Sequence, residues 1–161
     1  MYTSAGKEND NMLLEDSTQN PCTINDVCLI TGLTDRTIRN YISIGILKGK
    51  KTNGIWYFSP EDVEEFVQHP SVRPSLQAKR NGYIYDFIMN PSKEHHRCCI
   101  ILDLPNEDES TISAFFCHAI CTGHYHDINF SFDGGTSVPR AILRGDTKEL
   151  LRLVNSFYNR V

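Results

Sequence analysis

Arg36, Asn40 and Ser43, bordered by Thr37 and Arg39, recur at spacings that put them on one side of a helix turning roughly 100° per residue. Ile38 and Ile42 lie together on the other side, with Tyr41 at their flank. Arginine and asparagine are the side chains that make paired hydrogen bonds to guanine and adenine edges. A helix N-terminus adds free N–H groups that attract phosphate. A second grouping has a different chemistry. His95, His96, Cys98 and Cys99 come first, then Cys117, His118, Cys121, His124 and His126. Cys117 and Cys121 stand one helical turn apart with His124 a further turn on, a spacing that can share a soft metal ion or present thiols.

Those side chains need elements to hold them. Thr23 can cap a short helix with Asp26 three residues on and Gly32 as its stop. Thr34 can cap a second helix over 35–44, ended by Gly45, so the two form a helix-turn-helix around Gly32-Leu33. Ile46-Leu47-Lys48 then leads into Lys50-Lys51-Thr52-Asn53-Gly54 and Ile55-Trp56-Tyr57-Phe58. Asn53-Gly54 is a strong hairpin signal, because both positions tolerate positive φ. Lys50 and Lys51 are expected at the hairpin tip, with Trp56 and Phe58 pinning it to the helices. Ser59-Pro60-Glu61-Asp62 opens a further helix with a serine cap, proline at its first position and an acid at its third.

The ordered run Thr23-Ile24-Asn25-Asp26-Val27, Thr31-Gly32-Leu33-Thr34-Asp35-Arg36-Thr37-Ile38-Arg39-Asn40-Tyr41, Gly45-Ile46-Leu47 and Asn53-Gly54 through Val63 resembles the winged helix-turn-helix of MerR-type transcriptional regulators. The resemblance covers about fifty residues, from Cys22 to near Gln68. It implies DNA binding by Arg36, Thr37, Arg39 and Tyr41, supported by lysines on the wing. The long pairing helix of the best-known members is missing: no heptad run follows Phe66.

The net charge of -4 in 161 residues argues against nucleic acid only until it is divided along the chain. Residues 1–21 carry one Lys against four acids, 22–83 eight basic residues against six, and 84–161 seven against ten. From Arg36 to Pro60 there are five basic residues (Arg36, Arg39, Lys48, Lys50, Lys51) and no acid, the footprint phosphate binding requires. No apolar run approaches the ~20 residues of a membrane span, and the N-terminus lacks the basic start and apolar stretch of a secretion signal. A cytoplasmic protein with reduced thiols is therefore expected.

The chain divides into an acidic arm (1–21), the DNA-reading unit (22–70) and, after Pro70 and Pro74, an α+β unit (74–161). In the last, a linking helix from Pro74 to Met89 carries Leu76, Tyr83, Ile84, Phe87 and Ile88 on one stripe. Cys98–Leu104 reads as a buried strand. A helix over 108–122, capped by Asn106 or Ser110, has Ile112, Phe115, Phe116, Ala119 and Gly123 inward. Ile128–Phe132 is a half-buried strand, with a turn at Asp133-Gly134-Gly135. Val138–Arg144 returns as an edge strand, unless Pro139 sits only at its start. A last helix from near Asp146 puts Leu150, Leu151, Val154, Phe157 and Tyr158 inward.

The expected fold is thus α+β: an N-terminal winged helix-turn-helix, then a linking helix and a small β-α-β-β-α sandwich with its helices on one face. The expected partner is double-stranded DNA, read by a homodimer, with no cofactor and no membrane. The candidate contacts are Thr34, Arg36, Thr37, Arg39, Asn40, Tyr41, Ser43, Lys48, Lys50 and Lys51. No phosphate loop, nucleophile elbow or paired carboxylates point to catalysis. The C-terminal unit is expected to pair two copies, with a small-molecule effector as an added role. Cys117 and Cys121 are expected on the outward side of their helix, as part of an apolar dimer face. A sharper reading is a metal- or thiol-responsive regulator in which Cys117, Cys121 and His124 do the sensing. The same pattern also suits an excisionase-like architectural factor or a protein-interaction adaptor.

Overall fold

The computed structural model describes residues 21–133 and 137–160. The acidic arm, apart from Pro21, and the turn at Gly134-Gly135 lie outside the described residues.

Helix α1 (Ile24–Thr31) starts where the Thr23 N–H and hydroxyl donate to the Asp26 carboxylate at 2.7 and 2.8 Å, and stops at Gly32 in the left-handed region, φ 69°. Thr31 is buried in the turn, its hydroxyl donating to the Val27 carbonyl at 2.7 Å and accepting the Leu33 N–H at 3.2 Å. Helix α2 (Asp35–Ser43) is capped by Thr34, which accepts the Thr37 N–H at 3.2 Å. Strands β2 (Lys50–Thr52) and β3 (Ile55–Phe58) form an antiparallel hairpin turned by Asn53 (φ 50°) and Gly54 (φ 80°). A two-residue strand, β1 (Cys22–Thr23), pairs with the other edge of β3, so the hairpin is the larger part of a three-stranded sheet. Helix α3 (Pro60–Gln68) begins at Ser59, whose hydroxyl accepts the Asp62 N–H at 3.1 Å.

Helix α4 (Arg73–Met89) links to the second sheet, β4 (Arg97–Asp103), β5 (Ile128–Asp133) and β6 (Arg140–Asp146), with spatial order β4-β6-β5. Helix α5 (Glu109–Thr122) lies between β4 and β5 in the chain, and α6 (Thr147–Tyr158) follows β6. Two expectations change here, and an open alternative closes. Of the two readings of Pro139, an edge strand or a proline confined to the strand's start, the second holds: Pro139 precedes the first ladder residue and removes no donor from it, and the strand is central. The strand expected to be buried, β4, is an edge with Ile101 47% exposed. A run apolar on both faces gives no information about which strand takes the middle. Helices also cover both faces. Phe116 of α5 stacks on Phe130 and Phe157 at 5.1 and 5.0 Å on one face, while Arg144 on the other donates to the Tyr83 carbonyl of α4 at 3.3 Å.

Details of the helices move as well. Asp108, in place of Asn106 or Ser110, caps α5 by accepting the Thr111 N–H at 3.0 Å. In α6 the buried residues are Leu150, Leu153 and Phe157, whereas Leu151 and Tyr158 are exposed.

The buried core is continuous across the two segments. Helix α3 packs along α5, and α1 lies against β5. Cys22 and Cys121, 99 residues apart, are joined by a disulfide with Cα atoms 5.4 Å apart. The docking of β1 beside the end of α5 thus overturns, for this pair, the expectation of fully reduced thiols. Cys28, Cys98, Cys99 and Cys117 are free.

Candidate nucleic-acid interface

Helix α2 buries one narrow stripe and leaves the rest to solvent. Ile38 is fully buried and Ile42 half-buried, while Arg36, Arg39, Asn40 and Ser43 are exposed and Thr37 is half-exposed. Arg36 makes no hydrogen bond or ion pair with any described residue. Arg39 is held by Asp35 one turn back, Nε to carboxylate 2.7 Å, which keeps the guanidinium aligned and its pKa raised. The Thr34 and Thr37 hydroxyls share a hydrogen bond at 2.9 Å. Ser43 donates back to the Asn40 backbone carbonyl at 2.8 Å, and Asn40 itself is exposed.

Tyr41 is turned away from that surface. Its ring meets Phe66 of α3 edge-on at 5.3 Å, and its hydroxyl lies 3.4 Å from the Ser75 hydroxyl of α4. Its backbone carbonyl accepts the Ile46 and Leu47 N–H groups, which closes the chain after the helix. The phenol therefore orients α2 from behind.

The basic stretch separates by neighbour. Lys48 reaches Glu65 of α3 at 2.9 Å, an ion pair that also raises its pKa. Lys50 and Lys51 stand on β2, opposite Tyr57 and Trp56, and the hairpin tip is Asn53-Gly54. The expectation that the lysines form the tip is corrected by this register. The Lys51 ammonium sits 5.9 Å from the Trp56 ring centroid, and Trp56 stacks on the buried Phe58. An open groove of about 180 Å³ joins the two elements, lined by Asp35 and Arg39 on one side and by Gly54, Ile55 and Trp56 on the other. So Arg36, Lys50 and Lys51 are the members of the basic stretch with no acidic partner among the described residues. Asp35 and Glu65, the acidic partners, stand outside the expected contact set. The i, i+4 spacing of Asp35 to Arg39 signals the first of them. Nothing local announces Glu65.

The second candidate group does not assemble. Cys117 is fully buried, its thiol pushed up to about 12 by burial first and the Glu64 carboxylate second. Cys121 is in the disulfide, and His124 is exposed at φ 53° in the turn after α5. Among the described residues no three His, Cys, Asp or Glu side chains are grouped to hold a metal ion. The expectation of an outward thiol face fails because α3 covers it. Nor is any helix among the described residues long and apolar enough to cross a membrane.

Residues 22–70 match the family model for a helix-turn-helix domain, the segment that contains α1, α2 and the hairpin. Together with the exposed basic face, this supports a DNA-binding helix-turn-helix. No curated protein and no solved structure matches the chain.

Proposed function

We propose that the protein is a sequence-specific DNA-binding transcriptional regulator of MerR type, cytoplasmic and non-catalytic, acting as a homodimer. In this reading α2 lies in the major groove with Arg36, Thr37, Arg39, Asn40 and Ser43 toward base edges and the adjacent backbone. Thr34 marks the helix N-terminus nearest a phosphate. The β2–β3 hairpin serves as the wing, bringing Lys50 and Lys51 to the flanking backbone. Tyr41 and Lys48 act from the second row, the one bracing α2 and the other reaching phosphate only if it leaves Glu65. The carrying observation is an α2 surface that is cationic and amide-bearing while its one apolar stripe, Ile38 and Ile42, turns toward the core. The test is a gel shift against genomic fragments at rising salt. Retardation at low salt that falls steeply as salt rises supports the reading; no retardation at any salt favours a protein-interaction adaptor.

The matching helix-turn-helix model also fits an excisionase-like architectural factor. That reading predicts DNA bending without promoter-specific occupancy, and a permutation gel shift separates the two. A thiol-responsive regulator has one observation in its favour, the Cys22–Cys121 bond between the start of the helix-turn-helix and α5. In a reducing compartment disulfides are rare and often redox-sensing. Equal DNA affinity with and without a dithiol reductant removes the thiol-responsive reading.

A further inference from the structure

Among the described residues strand β4 is an edge of its sheet, and between its charged ends its free side carries no protection of the usual kind. Between Arg97 and Asp103 it has no proline, lysine or glycine: the run is Cys98-Cys99-Ile100-Ile101-Leu102. Such an edge presents a row of backbone donors and acceptors that a second strand can complete. The opposite edge differs, since β5 lies against α1 and the Asn129 side-chain amide donates to the Leu29 carbonyl. Side-chain burial tells the same story. Ala141, Ile142 and Leu143 in the middle of β6 are buried, whereas Ile100 and Leu102 are only half-buried and Ile101 is exposed. The apolar surface extends beyond the strand. Ile84 of α4 shares a cavity wall with Cys99, and Ile88, one turn further along α4, is 70% exposed beside Tyr85 and Met89, also exposed.

We infer that β4 pairs antiparallel with β4 of a second copy of this chain about a two-fold axis at Ile100, joining the two three-stranded sheets into one of six. The inference rests on the dimeric reading above and specifies its surface. The charge pattern of the strand selects this partner and this register. With Ile100 opposite Ile100 of the second copy, Arg97 stands opposite Asp103 at both ends, Cys99 opposite Ile101, and Cys98 opposite Leu102. Every opposed pair is then apolar or of opposite charge, the pairing a sheet favours. The local ion pairs extend rather than compete. Arg97 already meets Asp127 at 3.2 Å, and Asp103 already takes two bonds from Arg140 at 2.6 and 3.0 Å. At each end the charges therefore alternate as Asp127, Arg97, Asp103 of the second copy, Arg140 of the second copy. A register shifted by two residues loses both Arg97–Asp103 oppositions. A two-fold interface of this kind uses one patch twice and closes on itself, so it ends at two copies.

Sedimentation of the full chain over a range of concentrations is expected to give twice the 18.4 kDa chain mass. Ile101→Lys, at an exposed site that folding does not use, is expected to give the single-chain mass with an unchanged circular dichroism spectrum and thermal midpoint. In a Cys98→Ser, Cys99→Ser background, Ile100→Cys is expected to form a covalent dimer on mild oxidation, because opposed Cα atoms in such a ladder are about 4.5–5.5 Å apart, within disulfide reach. Ile101→Cys in the same background is expected not to, because it faces the serine now at position 99 of the second copy. A wild-type chain that is monomeric at every concentration overturns both the dimer and this surface. A dimer that survives Ile101→Lys and does not cross-link at position 100 overturns the surface alone.

Discussion

Helices α2 and α5 each set a stripe of large apolar side chains against a face of another character, and the fold treats those second faces in opposite ways. On α2 the second face holds Arg36, Arg39 and Asn40, and no described element packs on it. On α5 it holds Ser113 and Cys117, both fully buried, with α3 laid along it. The difference lies in what burial does to each group. A guanidinium taken from water without a partner costs several kcal/mol, so a helix bearing two of them keeps that side open. A cysteine behaves as a small apolar group and is readily buried. An open face is thus informative when its residues resist burial, and uninformative when they do not.

The comparison predicts separable phenotypes. The double substitution Arg36→Ala with Arg39→Ala should weaken DNA binding by about 2–6 kcal/mol, at ~1–3 kcal/mol for each paired contact to a base. Its unfolding midpoint should stay where it is, because the exposed Arg39–Asp35 pair adds little to stability. Fluorescence anisotropy with an operator fragment and a urea melt read the two effects. Loss of stability in place of affinity would erase the contrast between the helices. On α5, Phe116→Ala should do the reverse and lower the unfolding free energy by about 3–5 kcal/mol. Titration of its folded fraction with DNA should return the wild-type affinity.

A pH experiment sharpens the contrast further. The folded-state pKa of Cys117 is raised to about 12, against about 8.5 for an unfolded thiol, so the folded state holds the proton longer. Its contribution is complete below the lower value and is lost as pH climbs from there toward 12. Replacing Cys117 by Ala should flatten the alkaline fall in stability measured by thermal melts. Native-state alkylation should spare Cys117 while labelling the half-exposed Cys28. The smallest expected effect is at the junction. Tyr83→Phe removes the hydroxyl that donates to the Gly32 carbonyl at 2.6 Å, and a urea melt should show a loss of about 1 kcal/mol.

Local chemistry was legible wherever its cause was local. Thr23, Thr34 and Ser59 cap the helices they were expected to cap, Gly32 ends α1, and Asn53-Gly54 turns the hairpin, since each acts on residues within a few positions. Of the candidate interface, the exposed positions Arg36, Arg39, Asn40 and Ser43 followed from helical period alone. Helical period puts Tyr41 at the flank of the apolar side, where it stands; its role as a DNA contact came from the family resemblance, and Phe66 and Ser75, which hold the ring, are brought near by no local pattern. The same reason hid Glu65 from Lys48, Cys121 from Cys22 and α3 from Cys117. β4 was assigned to the interior because its side chains are apolar, yet position in a sheet is decided by ladder order, and here β6 takes the centre.

If two copies read DNA through the pairing proposed above, Tyr83 has a consequence for how far apart their half-sites must lie. Its hydroxyl fills the space a Cβ would need at Gly32, its ring lies 4.2 Å beneath the Arg144 guanidinium, and its carbonyl accepts from that same arginine. The turn between α1 and α2 is thereby braced against the second sheet, with no free tether between them. Two copies joined through that sheet would hold their α2 helices at a set separation, so the spacing of the DNA sites becomes a dimension of the protein. Inserting base pairs between half-sites should then abolish cooperative binding stepwise, where a loosely tethered pair of reading heads would absorb the change.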